Sequence, residues 1–344
     1  MRDLVLVTGA AGEVGRRLVA RIAAAGHRVR ALVLPGDPLR SRLDGLDVEI
    51  CEGDVRVPAT LGPAVRGVDT VLHLAAVILA SDPALYDSVN RQGTAHLVAA
   101  SADAGVRHFI YVSSASVVYP RLTPYGQSKL AAERIVQAET RLRYTIVRPT
   151  LVYDETGGQE FALFRRYLHR FPVVPFVGPT DGPRAARKRP IHAADAVEGL
   201  ARIVGNPATY GRTYNLSGGE SITLADLGRL VLTLEGTPKP FLPIPIPLCR
   251  ALAATFGAVM RNPPLTPYAV AGFTNHADLD PSEAMRDLAW NPRGVREGLA
   301  ACLRPQAARA GGAASTLPNL EQPKILETRD VQLRGAAGSA PGET

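Results

Sequence analysis

A glycine-rich turn separates the first strand-like run of the chain from its first helix. Apolar residues fill positions 4–7, glycines follow at Gly9, Gly12 and Gly15, and apolar residues then recur at helical spacing over 13–25. Glycines in this position permit a tight turn, a close approach of the backbone to a pyrophosphate, and close packing of helix on strand. The free N–H groups at the start of such a helix attract an anion. The arrangement therefore predicts a phosphate cradle at the first strand of an α/β sheet.

Short β-rich runs and longer helical segments alternate through the first half of the chain. This alternation is typical of a parallel sheet that helices cover on both faces. The predicted strands are 4–7, 29–34, 48–51, 70–74, 109–112, 144–147 and, later in the chain, 213–216. The predicted helices are 13–25, 89–104, about 126–142, 194–204 and 222–234. The predicted fold class is α/β, a Rossmann-type doubly wound parallel sheet with a smaller C-terminal α/β substrate domain.

The second half of the chain is less regular and sets the domain boundaries. A loop-rich stretch covers 172–190, and beyond Leu303 the sequence is rich in Ala, Gly, Pro, Ser and Thr with few large apolar residues. Such a composition cannot bury enough apolar surface to fold, so it predicts a disordered tail. The predicted parts are a dinucleotide-binding domain, a substrate-binding part and a tail, over 1–155 (completed by about 190–217), 156–189 with 218–303, and 304–344.

Composition and charge exclude several classes of protein. The chain carries 39 Lys and Arg against 32 Asp and Glu, a formal net charge of +7, which raises nucleic acid, an anionic membrane or an anionic small molecule as partner. No nucleic-acid motif and no interleaving of aromatic and basic residues occurs. Three distant cysteines, Cys51, Cys249 and Cys302, give neither a disulfide framework nor a metal-ligand spacing, so we predict no metal.

No apolar run is long enough for a membrane-spanning helix, and the N-terminus lacks a signal peptide, so the predicted location is the cytoplasm. The nearest candidate is the apolar segment 241–260, which contains Arg250 and three prolines. This segment is either a membrane-contacting element or a packed or substrate-covering helix, and the sequence leaves both interpretations open.

Two further signals concern a bound adenosine. Asp54 follows the third strand, where a carboxylate can accept a hydrogen bond from an adenine amine. An acid at the end of the second strand would bind the ribose 2′-hydroxyl of NAD. Here Val33 and Leu34 occupy that place, so we predict NAD(P) with a slight preference for NADP(H). Arg16 and Arg30 are the candidate partners of a 2′-phosphate.

Tyr125 and Lys129 lie one helical turn apart and project from the same helix face. A free phenol titrates near 10, and a cation at about 4–6 Å would lower that pKa. Such a tyrosine can exchange a proton with a hydroxyl or carbonyl while a cofactor exchanges hydride. Ser113 and Ser114 end the fifth strand, at the sheet edge where ligands of open α/β folds bind. The sequence therefore predicts an acid–base site built on Tyr125, Lys129 and Ser114.

These residues resemble the extended short-chain dehydrogenase/reductases, in particular the nucleoside-diphosphate-sugar epimerase and dehydratase branch, over roughly residues 1–303. Besides the cradle and the Tyr125/Lys129 pair, five further stretches match that family. They are His73-Leu74-Ala75-Ala76, Asn90-Arg91-Gln92-Gly93-Thr94, Arg148-Pro149-Thr150 with Val152-Tyr153, Pro190-Ile191-His192-Ala193-Ala194-Asp195, and Tyr214-Asn215-Leu216-Ser217-Gly218-Gly219-Glu220.

The resemblance implies roles for individual residues. Tyr125 would be the acid/base, Lys129 would hold the nicotinamide ribose and tune Tyr125, and Ser114 would orient the substrate hydroxyl. The implied dinucleotide contacts are Gly9, Ala11, Gly12, Glu13, Val14, Gly15, Asp54, Val55, Leu74, Ala75, Ala76, Tyr125 and Lys129. A homodimer through a helix pair is also implied. An offset of one residue after the serines leaves Ser113 open as the substrate serine, and the short spacing from Ser114 to Tyr125 argues against dehydratase chemistry.

The net positive charge is concentrated in one segment. Residues 161–190 carry seven basic side chains against the single acid Asp181, and Arg187 and Arg189 are predicted to clamp a substrate diphosphate. The alternative is a solvated basic loop. The leading hypothesis is an NAD(P)-dependent epimerase or reductase of a nucleotide-linked sugar. Two alternatives stay open, a ketoreductase of sterol or dihydroflavonol type and a non-catalytic dinucleotide-sensing regulator.

Overall fold

A seven-stranded parallel sheet forms the centre of the molecule in the computed structural model, which describes residues 3–80, 82–155, 158–260 and 265–303. The strands are β1 (Leu4–Thr8), β2 (Arg28–Val33), β3 (Glu49–Glu52), β4 (Thr70–His73), β5 (His108–Val112), β6 (Arg143–Pro149), β7 (Val152–Tyr153), β8 (Val174–Val177), β9 (Arg187–Lys188), β10 (Ile191–His192), β11 (Arg212–Leu216), β12 (Ile222–Thr223) and β13 (Phe241–Ile244). The spatial order of the central sheet is β11-β6-β5-β4-β1-β2-β3, and every neighbouring pair is parallel. The chain reverses its direction of progress between β1 and β4, and ligands of such sheets bind at this switch point.

Helices cover both faces of this sheet. The α-helices of the described residues are α1 (Glu13–Ala24), α2 (Leu61–Val65), α3 (Gly93–Asp103), α4 (Pro124–Ala138), α5 (Gln159–Arg170), α6 (Ala193–Ala201), α7 (Leu224–Leu234), α8 (Ile246–Val259), α9 (Pro267–Thr274), α10 (Ser282–Asp287) and α11 (Val295–Cys302). The predicted Rossmann-type α/β class is confirmed. None of the described helices is long and apolar enough to cross a membrane.

Two hydrophobic cores lie on opposite faces of the sheet because side chains alternate along each strand. Val5 and Val7 of β1 point into the core beneath α1, where Leu18 is fully buried. Leu6 points the other way, into the core that contains Phe109 of β5. A third core, formed by α5, α7 and α11, supports the elements beside the sheet.

Several short elements differ from the prediction. The helix expected over 222–234 begins at Leu224, because the Thr223 hydroxyl caps it by accepting a hydrogen bond from Asp226 N at 3.0 Å, and β12 precedes it. The loop-rich stretch 172–190 contains β8 and β9. The helix expected over 89–104 is preceded by a π-helical turn, Tyr86–Gln92, and only becomes α-helical at Gly93.

The predicted domain boundaries stay a prediction. Residues Met1–Gln306 form one compact unit, which includes both the predicted dinucleotide-binding part and the predicted substrate-binding part. Strand β11 joins the central sheet beside β6, as the sequence predicts. The tail predicted over 304–344 lies outside the described residues.

Candidate active site

The glycine-rich turn has the shape that a dinucleotide pyrophosphate needs. Gly9 has φ = +66°, and a Cβ there would lie 2.9 Å from the backbone nitrogen of Ala75. A Cβ on Gly15 would lie 2.1 Å from the Gly9 carbonyl oxygen, so α1 can approach the turn only with glycine at that position. The turn leads directly into the N-terminus of α1, which attracts an anion. These residues fit the pyrophosphate of NAD(P), and they bring Ala75 beside the cradle as the resemblance implies.

A buried hydrogen-bond relay connects the cradle to the π-helical turn. Ala75 N donates to Thr8 Oγ1 at 3.1 Å, and Thr8 Oγ1 lies 2.7 Å from His73 Nδ1. On the other side of the ring, His73 Nε2 lies 3.0 Å from Thr94 Oγ1, whose hydroxyl donates to the Asn90 carbonyl at 2.6 Å. The hydroxyl proton of Thr94 is already donated to the Asn90 carbonyl, so in the contact with the ring His73 Nε2 must be the donor. Nδ1 then carries no hydrogen and accepts from the Thr8 hydroxyl. Burial lowers the pKa of His73 to about 3, which keeps the ring neutral.

The adenosine side of the cradle is formed after β3. The Asp54 carboxylate accepts hydrogen bonds from Arg56 Nε at 2.9 Å and from Arg56 N at 2.9 Å. Burial acts to raise the pKa of Asp54, but these bonds outweigh it and the pKa is lowered. Asp54 is therefore an anionic acceptor that any adenine amine would share with Arg56. Val55 is buried against Gly93, where a Cβ would lie 2.7 Å from the valine side chain.

The helix α4 carries Tyr125 and Lys129 and begins where its sequence dictates. The Thr123 hydroxyl accepts a hydrogen bond from Gly126 N at 3.1 Å, and Pro124 occupies the first helical position. Gly126 lies so close to the preceding loop that a Cβ would be 2.9 Å from a backbone oxygen of Ser116. Cap and close approach together hold Tyr125 in the first turn of α4, where the helix dipole favours a phenolate.

The hydroxyl of Ser114 interacts with the phenol of Tyr125 and acts to lower its pKa. Ser114 Oγ accepts hydrogen bonds from Ser116 N at 3.1 Å and from Ser116 Oγ at 3.0 Å, which fix its position. The neighbouring Ser113 is buried, and its hydroxyl has no hydrogen-bond partner among the described residues. The geometry thus brings Ser114, rather than Ser113, to the tyrosine.

The pKa of Tyr125 is raised well above its ordinary value, mainly by burial and next by the charge of Glu160. The expectation that a nearby cation lowers the pKa of the Tyr125 phenol is therefore wrong. The physical reason is the position of Lys129, whose Nζ donates to the Val112 carbonyl at 2.7 Å and lies 4.4 Å from the centroid of the Tyr111 ring. Burial lowers the pKa of Lys129 to about 7, although Glu133 one turn further on acts in the opposite direction.

Asn90 contributes to this site more directly than its sequence context suggests. Its side chain accepts a hydrogen bond from Val77 N at 2.8 Å and donates to the Val77 carbonyl at 3.0 Å and to Ser128 Oγ at 3.0 Å. Ser128 Oγ in turn donates to the Tyr125 carbonyl at 2.8 Å. Asn90 therefore connects the segment after β4 with the catalytic turn of α4. From the sequence, two roles for Asn90 are open: shaping its own helix or holding backbone near the active site.

The sequence prediction missed three further residues near Tyr125, namely Tyr119, Glu160 and Lys188. Glu160, in the first turn of α5, raises the pKa of both Tyr119 and Tyr125, in each case as the largest effect after burial. The Nζ of Lys188 lies 5.8 Å from the centroid of the Tyr119 ring and donates to two backbone carbonyls at the end of α9. No motif marks these residues, because they come from three distant parts of the chain.

Arg187 and Arg189 have intramolecular partners. Arg189 Nε lies 2.5 Å from Asp278 Oδ1, and Arg187 Nε lies 3.6 Å from Asp278 Oδ2. Arg187 Nε also donates to Ser221 Oγ at 2.9 Å. The segment that was predicted to clamp a diphosphate thus has a carboxylate bound between its two arginines.

Arg30, a candidate partner of a ribose 2′-phosphate, makes its contacts with other groups of the protein. Its guanidinium pairs with Glu49 at 2.9 Å and donates to backbone carbonyls around α2, including that of Ala64. Arg42, in the turn after β2, instead pairs with Glu13 in the first turn of α1 at 2.7 Å. This pair brings the Arg42 guanidinium to the first turn of α1, where the Glu13 carboxylate balances its charge.

One group of potential metal ligands occurs among the described residues. Ligand atoms of Glu155, His192 and Cys302 lie within 4.8 Å of one another. Arg17 Nη2 lies 3.1 Å from the Glu155 carboxylate, and this positive charge opposes the binding of a cation. His192 also uses Nδ1 to accept a hydrogen bond from Ala194 N at the start of α6. The absence of a metal stays a prediction.

Comparison with known proteins identifies the family. A family model described as NAD(P)H-binding matches residues 9–166. The chain is 30% identical over 327 residues to sterol demethylase protein B of Methylococcus capsulatus, covering 86% of this chain and 95% of that protein. It is 29% identical over 286 residues to ceramide reductase of Caulobacter vibrioides, covering 82% and 87%. The solved structure of MoeE5 with UDP-glucose and NAD is 25% identical, with a TM-score of 0.65, covering 86% of this chain and 96% of that chain.

These similarities extend over the sheet, the cradle and the helices that carry the acid–base residues. They confirm the resemblance inferred from the motifs and decide against the non-catalytic regulator. The chain belongs to the extended short-chain dehydrogenase/reductase family and is an NAD(P)-dependent enzyme of the oxidoreductase and epimerase type.

Proposed function

We propose that the enzyme interconverts a secondary alcohol and a ketone on an apolar, lipid-like substrate. The observation that carries this proposal is the pairing of both Arg187 and Arg189 with Asp278. A diphosphate at this place would have to displace that carboxylate. Glu160, whose charge acts on Tyr125, would repel it further. An uncharged substrate meets neither obstacle. The two relatives described above, named as a ceramide reductase and a sterol demethylase protein, support the same substrate class.

Tyr125 is the proposed proton donor and acceptor. In the reductive direction its hydroxyl gives a proton to the substrate carbonyl oxygen, and in the oxidative direction the phenolate accepts the proton of the carbinol. When bound, the nicotinamide would supply or accept the hydride. Ser114 holds the reacting oxygen against the phenol, and the N-terminal dipole of α4 stabilises the phenolate. Lys129, with a pKa of about 7, is the proposed partner of the nicotinamide ribose.

A test of this mechanism is the Tyr125→Phe variant. We expect turnover to fall by about 10²–10⁴-fold, because the reacting oxygen loses its proton donor, while dinucleotide binding measured by fluorescence titration is retained. Tyr144→Phe, in β6, removes a phenol hydroxyl outside the site and is the matched control. Undiminished turnover in Tyr125→Phe would contradict the proposed role.

The substrate class is tested with a panel of compounds. We expect turnover of hydroxysteroids or N-acylated sphingoid ketones, each offered with both cofactors, and none of UDP-, GDP- or dTDP-sugars. A nucleotide-linked sugar, the leading hypothesis from the sequence, is the second candidate, because the similar MoeE5 structure holds UDP-glucose. Turnover of nucleotide sugars that is weakened by charge reversal at Arg187 and Arg189 would establish that candidate instead.

The cofactor preference is proposed to be NADP(H). The end of β2 supports this preference, because it carries no acid that could bind a ribose 2′-hydroxyl. Comparison of kcat/KM for NADH and NADPH is the direct measurement.

The homodimer implied by the family resemblance is likewise a proposal, which sedimentation equilibrium tests.

A further inference from the structure

The middle of α4 buries an acid one helical turn beyond Lys129. Lys129 and Glu133 are each 2% exposed, and residues four apart lie on the same face of a helix. Their charged ends contact neighbouring strands of the central sheet. Lys129 Nζ donates to the Val112 carbonyl of β5 at 2.7 Å, whereas Glu133 binds Arg148 of β6. Glu133 is therefore a buried charge beside the site that the proposed mechanism does not use.

The Glu133 carboxylate is held in place by Arg148. Arg148 Nε donates to Glu133 Oε1 at 2.9 Å, and Arg148 Nη2 donates to Glu133 Oε2 at 2.6 Å. Such a bidentate contact fixes the orientation of a carboxylate and favours its ionised form. Arg148 thus holds a negative charge at a defined place, one helical turn from Lys129.

The surroundings of the Lys129 ammonium disfavour a charge. Besides the Val112 carbonyl, the ammonium contacts the face of the Tyr111 ring, with Nζ 4.4 Å from the ring centroid. A carbonyl dipole and a ring face compensate a buried cation only in part. Burial accordingly lowers the pKa of Lys129, and among the described residues Glu133 is the acid whose charge opposes this effect.

The other ionisable groups around Lys129 do not replace Glu133. Three of them carry no charge at neutral pH, because burial shifts the pKa of each toward the neutral form. They are His73 of β4, Tyr111 of β5 and Tyr125 of α4. In the π-helical turn, Asp87 and Arg91 are largely exposed and pair with each other. In α3, Nδ1 of His96 lies 3.0 Å from a backbone carbonyl.

We propose that Glu133, held by Arg148, is a positioning residue that keeps Lys129 charged and so able to bind the nicotinamide ribose. An ammonium has three hydrogens, and the Val112 carbonyl accepts one of them. The other two can be donated to ribose hydroxyls, and a charged donor makes stronger hydrogen bonds than a neutral amine. The inference rests on the role of Lys129 in the proposed function and adds a residue that acts only through Lys129.

A purely structural role for the Glu133–Arg148 pair leads to a different expectation. If the pair only joined α4 to β6, its loss would lower stability and would weaken dinucleotide binding by the same factor at every pH. A charge that acts on Lys129 instead determines the pH at which binding weakens. The pH dependence of dinucleotide binding therefore separates the two roles.

Fluorescence titration of the full-length chain with NADH, from about pH 6 to about pH 9, is the test. NADH is chosen because it has no 2′-phosphate that would titrate with the protein. In the unaltered chain the affinity should fall as pH rises above about 7, where Lys129 loses its charge. In Glu133→Gln this fall should begin about one pH unit lower, so that NADH binds about tenfold more weakly at pH 8. Lys129→Met should lack the fall.

The matched control is Glu235→Gln, which removes another buried carboxylate that an arginine holds. Arg165 Nε donates to Glu235 Oε1 at 3.1 Å, between α5 and the end of α7. This variant should keep the pH dependence of the unaltered chain, and so should Glu133→Asp, which retains the charge. If Glu133→Gln does not fold, Glu133→Gln/Arg148→Met replaces it with the same expectation, because it leaves neither partner of the pair charged and unpaired.

The possible results distinguish this inference from the proposed function. If Lys129→Met lacks the fall but Glu133→Gln shows it at the same pH as the unaltered chain, the inference is overturned and the role of Lys129 stands. A shift in Glu133→Asp or Glu235→Gln as large as that in Glu133→Gln also overturns the inference, because the charge of Glu133 is then not its cause. If the unaltered chain and Lys129→Met show the same pH dependence, the proposed role of Lys129 fails, and the inference fails with it.

Discussion

At the scale of single residues, the site is defined by charges that act on one phenol. Burial raises the pKa of Tyr125, Glu160 raises it further, and the hydroxyl of Ser114 acts to lower it. The N-terminal dipole of α4 also favours the phenolate. A proton therefore leaves Tyr125 only at alkaline pH unless ligands change this balance. Of these groups, Glu160 is the one that a substitution can neutralise without altering Tyr125 or Ser114.

The Glu160→Gln variant is predicted to shift the pH profile of alcohol oxidation. Removal of a negative charge near Tyr125 lowers the pKa of the phenol, so the alkaline rise of kcat/KM should move to lower pH. The half-buried Glu139, which caps the C-terminal end of α4, provides the matched control, and Glu139→Gln should leave the profile where it is. An unmoved profile in Glu160→Gln would show that the carboxylate does not act on the phenol.

At the scale of elements, the sequence predicts the long parallel strands and the cradle well. Strands β1, β4 and β5 are runs of mostly buried residues bounded by polar sequence, and their pattern is visible without a structure. The short strands β9 and β12 are not predictable in this way, because a ladder of two residues has no period. Glu160 and Lys188 were missed for a related reason, since tertiary packing alone brings them to Tyr125.

The close approach of α1 to the glycine turn leads to a prediction about Gly15→Ala. The added Cβ would lie 2.1 Å from the Gly9 carbonyl oxygen, so α1 must move away from the turn. We expect a loss of stability of about 1–3 kcal/mol in urea unfolding and weaker dinucleotide binding. Gly257→Ala in α8 is the matched control, because a Cβ there meets nothing within 4 Å. That variant should be more stable by about 0.5–1 kcal/mol. Equal stabilities would contradict the packing described for α1.

At the scale of the whole molecule, two buried neutral histidines connect the sheet to its surroundings. Burial lowers the pKa of His73 to about 3 and that of His108 to about 4. His108 Nε2 lies 2.8 Å from Thr145 Oγ1, which donates to the Thr209 carbonyl at 2.7 Å. The histidine is therefore the donor to Thr145, and its buried Nδ1 has no partner among the described residues.

These pKa values predict how stability depends on pH. Below about 6.5 the unfolded chain binds protons that the folded chain does not accept until about pH 4, so the free energy of unfolding falls as pH falls through this window. In His108→Gln the side chain can still donate to Thr145 but does not titrate. Between pH 7 and pH 4.5 this variant should therefore lose about 2–3 kcal/mol less stability than the unaltered chain, measured by urea unfolding at both pH values. Because each protein is compared with itself at pH 7, the cost of the substitution itself cancels. An equal loss in both proteins would mean that His108 is protonated as readily in the fold as in the unfolded chain, and that acid acts on the sheet through other groups.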